Sequence, residues 1–97
     1  MDKRVELTGF RDIDESTMEI VQKNISRHLR RLEEITKKIE HLHITLKPVH
    51  LKEKSEKYEV HAKLLDNGKV YVSEVTDRNL LIVIDLVLEK ITNEIRK

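Results

Sequence analysis

The stretch Asn79–Lys97, NLLIVIDLVLEKITNEIRK, decides how the rest of the chain must be built. Leu80, Leu81, Ile82, Val83, Ile84, Leu86, Val87, Leu88, Ile91 and Ile95 recur too densely for a strand, and no Gly or Pro interrupts them. The spacing predicts a C-terminal helix. Ile84, Leu88, Ile91 and Ile95 form one core stripe at i, i+4, i+7 and i+11, while Ile82, Val83, Leu86 and Val87 widen the apolar surface on both flanks. Such a helix needs neighbours on more than one side. A sheet beneath it and a second helix beside it suffice, and a flank left uncovered becomes a subunit contact. Asp85 interrupts the apolar run and Glu89 and Lys90 end it, so it is too short for a membrane span.

Upstream, Arg4 to Gly9 alternates, with Val5 and Leu7 on one side, and reads as a half-buried first strand closing at a glycine. A helix start follows: Asp14 or Ser16 can cap, and Ser16-Thr17-Met18-Glu19 has the form of a capping box. Met18, Val21, Ile25, Leu29, Leu32, Ile35 and Ile39 then repeat every three or four residues, which predicts one amphipathic helix running to about Lys38. From Glu40 the period becomes two. Leu42, Ile44 and Leu46 face one way and His41, His43, Thr45 and Lys47 the other, until Pro48 weakens the second strand. Val49 to Lys57 is polar and Lys-rich and reads as a loop. Tyr58, Val60, Ala62 and Leu64 alternate with Glu59, His61 and Lys63 up to Asp66-Asn67-Gly68, a tight-turn signal leading into Lys69 to Val75. Strands three and four thus form a hairpin, with Val70 and Val72 expected inward and Tyr71 and Ser73 outward. Thr76 and Asn79 are the candidate caps of the last helix.

The expected fold is therefore α+β: a β-α-β-β-β-α two-layer sandwich in one domain, residues 1–97, with a four-stranded sheet and both helices on one face. The opposite sheet face is left in water. If strands one and two are parallel neighbours, a right-handed crossover through the first helix joins them.

Composition narrows the function. Nineteen Lys and Arg against eighteen Asp and Glu give a net charge of +1, so any nucleic-acid site must be a local patch. The absence of cysteine excludes disulfides, thiol catalysis and Cys-type zinc sites. Met1 to Arg4 has no apolar signal-peptide core, which points to the cytoplasm. Ser16, Ser26, Ser55 and Ser73 sit in no nucleophile context, and two glycines cannot make a Gly-rich phosphate loop, so no catalytic residue and no cofactor is expected. His41, His43 and His61 share one type of strand face and are the candidate metal ligands, but an exposed sheet face favours solvated histidines, and no bound metal is expected.

The outer face of the first helix carries the strongest chemical signal. Lys23, Arg27, Arg30, Arg31, Lys37 and Lys38 stand against only Glu33 and Glu34 between positions 23 and 38, an excess of four positive charges. A solvated amphipathic helix is the ordinary reading of alternating charges. The excess, with Lys90, Arg96 and Lys97 near the end of the last helix, points instead to two parallel helices gripping structured RNA through phosphates and shape. One Phe and two Tyr, with only Tyr71 expected on the open face, leave no platform for stacking bases.

The element order and several phrases resemble the ribosome hibernation-promoting factor family, which includes ribosome-associated protein Y. VELTG at Val5–Gly9 is similar to that family's opening strand, DESTMEIV at Asp14–Val21 to its helix opening, and KIEHLHITLKPVH at Lys38–His50 to its second strand. YEVHAKLLDNGKVYV at Tyr58–Val72 resembles its hairpin and Asn79–Lys97 its last helix, with Ile84-Asp85 standing at the family's Ile-Asp pair. The resemblance implies binding to ribosomal RNA in the mRNA and tRNA channel of the small ribosomal subunit, with repression of translation under stress. It carries over to the basic helix residues Lys23, Arg27, Arg30, Arg31, Lys37, Lys38, Lys90 and Arg96. The alternative is a self-associating interaction module without RNA affinity, pairing through the open sheet or as a homodimer through the C-terminal helix, where Ile82, Val83 and Leu86 motivate it.

Overall fold

In a computed structural model, which describes residues 2–52 and 55–97, the elements run β1 (Val5–Thr8), α1 (Glu15–Ile35), β2 (Ile39–Lys52), β3 (Ser55–Asp66), β4 (Lys69–Asp77) and α2 (Leu80–Ile95). The order is the expected β-α-β-β-β-α. The four strands form one sheet in the order β1-β2-β3-β4, with β1 parallel to β2 and the other pairs antiparallel. Leu42, Ile44, Leu46, Val60, Ala62 and Leu64 turn one sheet face inward, against Val21, Ile25, Leu29 and Leu32 of α1 and Val83, Ile84, Val87, Leu88 and Ile91 of α2. That layer of aliphatic side chains, most of them fully buried, is the principal source of stability.

Local chemistry sets the helix ends. Asp14, not Ser16, caps α1: its carboxylate accepts from the Thr17 backbone N–H at 3.1 Å and from the Ser16 hydroxyl at 2.6 Å. These bonds hold the Asp14 carboxyl down at about 2. Asn79 caps α2, its side-chain oxygen accepting from the N–H groups of Leu81 and Ile82.

Four expectations need correction. The first helix stops at Ile35 rather than near Lys38, because Thr36 turns extended and the N–H groups of Lys37 and Lys38 go to the buried Asp66 carboxylate at 3.1 and 2.7 Å. A charged acceptor in the sheet takes the donors that another helical turn would have used.

The expected loop Val49 to Lys57 is strand through Lys52 and again from Ser55; Glu53 and Lys54 lie outside the described residues. Its residues pair across the long β2–β3 hairpin, Val49 opposite Lys57 and His50 opposite Glu56, continuing the pairing of Pro48 with Tyr58. Since β1 pairs only from Leu42 to Thr45, this part of β2 has no partner on its β1 side, the setting in which a strand proline is tolerated.

The facing of β4 is also opposite to expectation: Val70 and Val72 are 49% and 64% exposed, while Tyr71 packs against the core and the Ser73 hydroxyl donates to the Val87 carbonyl at 2.8 Å. The turn forces this. Asn67 and Gly68 both have positive φ, 49° and 84°, as a two-residue hairpin loop of the I′ kind requires. Asp66 therefore pairs with Lys69, Leu64 with Tyr71 and Ala62 with Ser73, and directly opposed residues share a face.

Finally, Val83 is fully buried in the core and offers nothing to a subunit contact, whereas Ile82 and Leu86 stay 49% and 38% exposed. At 100° per residue, Val83 turns under the helix with Val87, and Ile82 and Leu86 stay on top.

Candidate nucleic-acid interface

The basic residues of α1 fall on one arc. Lys23, Arg27, Arg30 and Arg31 lie within about 100° of helix rotation, all exposed, and Glu34 shares the arc. Glu33 points to one side, where Arg4 bridges it at 3.1 Å and Asp2 at 2.7 Å. The hydrogen bonds from Arg4 hold the Asp2 carboxyl well below its ordinary range, and those to Asp2 and then Glu33 push the Arg4 guanidinium up. With Lys37 and Lys38 off the helix, α1 from position 23 onward holds four basic residues against two acidic ones, a smaller excess than the sequence count suggested.

The eight predicted contact residues divide into separate neighbourhoods. Lys23 and Arg30 border a shallow depression on the outer side of α1 with Gln22 and Ser26. Arg31 and Arg96 face each other across a cleft of about 420 Å³ between the two helices, with Glu34, Glu89, Thr92 and Asn93 on its walls and His28 beneath. Arg27 sits beside the cleft, 3.5 Å from Asp85 of α2. Lys37 and Lys38 lie past the end of α1 beside Arg4. Lys90 belongs to the opposite flank of α2, its Nζ donating to the Glu74 carbonyl of β4 at 3.1 Å. The structure thus groups Lys23, Arg27, Arg30, Arg31 and Arg96, keeps Lys37 and Lys38 near the helix end, and sets Lys90 apart.

One residue pair at this surface escaped the sequence reading. His28 is 4% exposed, and its Nε2 lies 3.0 Å from the Asp85 carboxylate, tying the two helices together in parallel at the floor of the cleft. The signal was present: His28 lies on the apolar stripe of α1, three residues after Ile25 and four before Leu32, and Asp85 breaks the apolar run of α2. Two polar interruptions on facing stripes satisfy each other.

His41, His43 and His61 do not converge. His61 stands opposite Thr45 and is engaged by Glu59 and Glu74, while His41 and His43 flank Glu6 at 3.1 and 3.6 Å. Among the described residues, no tyrosine or phenylalanine stands free on the open sheet face as a stacking platform. Tyr71 and Tyr58 pack against the core and Phe10 is buried in it.

The fold and surface define an α+β sandwich whose helical layer presents Lys23, Arg27, Arg30, Arg31 and Arg96 to solvent. Residues 6–97 match the family described as Sigma 54 modulation protein / S30EA ribosomal protein, and the chain belongs to that family, the one that includes the ribosome hibernation-promoting factors and protein Y. Two solved structures share the fold. A ribosomal subunit interface protein from Coxiella burnetii superposes with a TM-score of 0.66 at 18% identity, over 95% of this chain and 92% of that one. The N-terminal domain of protein Y from Thermus thermophilus superposes with a TM-score of 0.56 at 18% identity, over 99% of this chain and 97% of that one. No curated protein matches the chain. Among the described residues, no helix is long and apolar enough to cross a membrane.

Proposed function

We propose that this protein is a cytoplasmic, ribosome-associated RNA-binding factor. It acts by occupying the mRNA and tRNA channel of the small subunit, repressing translation under stress without catalysing a reaction. Family membership over residues 6–97 is the observation that carries the proposal, and a fold neighbour named as a ribosomal subunit interface protein agrees with it. The surface chemistry supports the mode of binding. Lys23, Arg27, Arg30, Arg31 and Arg96 present cations from two parallel helices, with Lys37 and Lys38 beyond the end of α1 and Lys90 on the far flank. With the tyrosines packed inward, recognition rests on phosphates and shape rather than on stacked bases.

Sedimentation with ribosomal subunits tests the proposal directly. The protein is expected to travel with the small subunit at low salt and to be released as salt rises. A protein that stays at the top of the gradient at low salt refutes the reading.

A second reading, self-association through α2, is favoured by Ile82 and Leu86, exposed at i and i+4 on that helix. Light scattering separates the two: a stable dimer without RNA affinity supports the second, and a monomer that binds subunits supports the first.

A further inference from the structure

The sheet face turned away from the helices holds its histidines in two different settings. On β1 and β2, Glu6 divides its oxygens, Oε1 3.1 Å from His41 Nε2 and Oε2 3.6 Å from His43 Nε2. On β3 and β4, two carboxylates converge on one ring atom. His61 Nε2 lies 2.7 Å from Glu59 Oε2 and 3.1 Å from Glu74 Oε1. The strands impose this arrangement, since Glu59 is two residues from His61 on the same face of β3 and Glu74 is its cross-strand partner on β4.

A single ring nitrogen carries at most one proton, which one carboxylate satisfies well and two share poorly. Two anionic oxygens facing one imidazole nitrogen are better reconciled by a cation among all three. The three donor atoms lie within 4.8 Å of one another, and among the described residues no other set of three His, Cys, Asp or Glu does so. His nitrogen and carboxylate oxygen bind zinc at about 2.0–2.2 Å, which places neighbouring ligands of a tetrahedral ion about 3.3 Å apart. The His61–Glu74 separation of 3.1 Å is close to that value, and the His61–Glu59 separation of 2.7 Å, a direct hydrogen bond, widens by a small rotation of the Glu59 side chain when an ion enters. The three side chains are half-buried or exposed, so further coordination positions open to water. Lys47, opposite Glu59, and Lys57 and Lys63, on either side of Glu59 and His61 in the alternation of β3, bring positive charge to the same sheet face and weaken the site.

We propose that Glu59, His61 and Glu74 form a binding site for a divalent first-row transition ion of the zinc class, with water completing the shell. The ion would clamp β3 to β4 on the side of the sheet away from the helices, independently of RNA binding. The mixed nitrogen and oxygen donor set favours zinc over magnesium or calcium, which prefer oxygen alone.

Calorimetric titration of the untagged protein with zinc, in a non-chelating buffer near neutral pH, tests the site. The expected result is one ion bound per chain, retained in the His41→Ala/His43→Ala double variant. Glu74→Gln, which keeps the side-chain size, and His61→Ala should each weaken binding by roughly tenfold or more, at least the loss that follows removal of an outer-shell partner. Zinc should also raise Tm in the double variant but not in Glu74→Gln. These side chains lie outside the core, and circular dichroism is the control that each variant is folded. Absence of zinc binding by the wild-type protein, full affinity in Glu74→Gln, or loss of binding on removing His41 and His43 alone would each overturn the proposal.

Discussion

The Asp66 carboxylate, at the end of β3, accepts the backbone N–H of Lys38 at 2.7 Å, and the Asn67 N–H returns a bond to the Lys38 carbonyl at 2.9 Å. This pairing ends α1, starts β2 and fixes the hairpin turn at one point. Asp66→Ala leaves the Lys37 and Lys38 donors without their acceptor in a buried setting, and should cost about 2–3 kcal/mol. Asp66→Asn keeps one acceptor oxygen and should cost about half as much. Urea unfolding checks both, as a lowered midpoint at unchanged slope.

The two glycines differ in what their replacement costs. Gly9 has φ +88°, and a Cβ there would stand 2.1 Å from the Leu46 carbonyl oxygen, in the backbone of the central strand β2. Gly9→Ala should destabilise by roughly 3 kcal/mol or more, since the backbone must move as well as strain. Gly68, at φ +84°, has open space around it, so Gly68→Ala should cost only the conformational term, about 1–2 kcal/mol. Comparable losses in thermal unfolding would contradict this.

The Asp14 cap has a definite pH signature. Its folded carboxyl is held at about 2, below the ordinary 3.8, first by the Ser16 hydroxyl and then by Thr17. A depressed carboxyl contributes stability that is complete above its unfolded value and is lost as pH falls toward 2. Carboxyl shifts followed by NMR should show a midpoint near 2 in the wild-type protein. Ser16→Ala should move that midpoint upward, and Asp14→Ala should speed amide exchange at Thr17, whose N–H the Asp14 carboxylate accepts.

RNA affinity should depend unequally on the basic residues. Replacing Arg27, Arg30 and Arg31 together by Glu should weaken binding and flatten the plot of log affinity against log salt by roughly 0.7–0.9 for each lost phosphate contact. Lys90→Ala should change the slope less, because Lys90 lies on the far flank of α2 and already serves the Glu74 carbonyl. Equal slopes for Lys90→Ala and Arg31→Ala would remove the inter-helix surface as the binding face.

The element order and the two-layer packing were legible in the sequence, because each rests on a local period, whereas the parallel pairing of β1 with β2 stood only as a condition until the register was seen. Alternation made Leu42, Ile44 and Leu46 one face of β2, and the dense run after Asn79 had to be a helix buried on more than one side. The basic arc of α1 was visible for the same reason. The remainder depended on contacts between distant parts of the chain. Alternation alone leaves open which set of β4 residues faces in: Val70 and Val72 look like core residues, yet pairing across Asn67-Gly68 sends Tyr71 and Ser73 inward instead. The end of α1 depended on Asp66, nearly thirty residues downstream, competing for the N–H groups of Lys37 and Lys38. The histidines followed strand partners rather than one another, so His61 joined Glu74 across β3 and β4, while His28 found Asp85 across the helix pair. Local periodicity reports which face a residue occupies; its partner across that face depends on strand register and helix packing, which only the folded chain specifies.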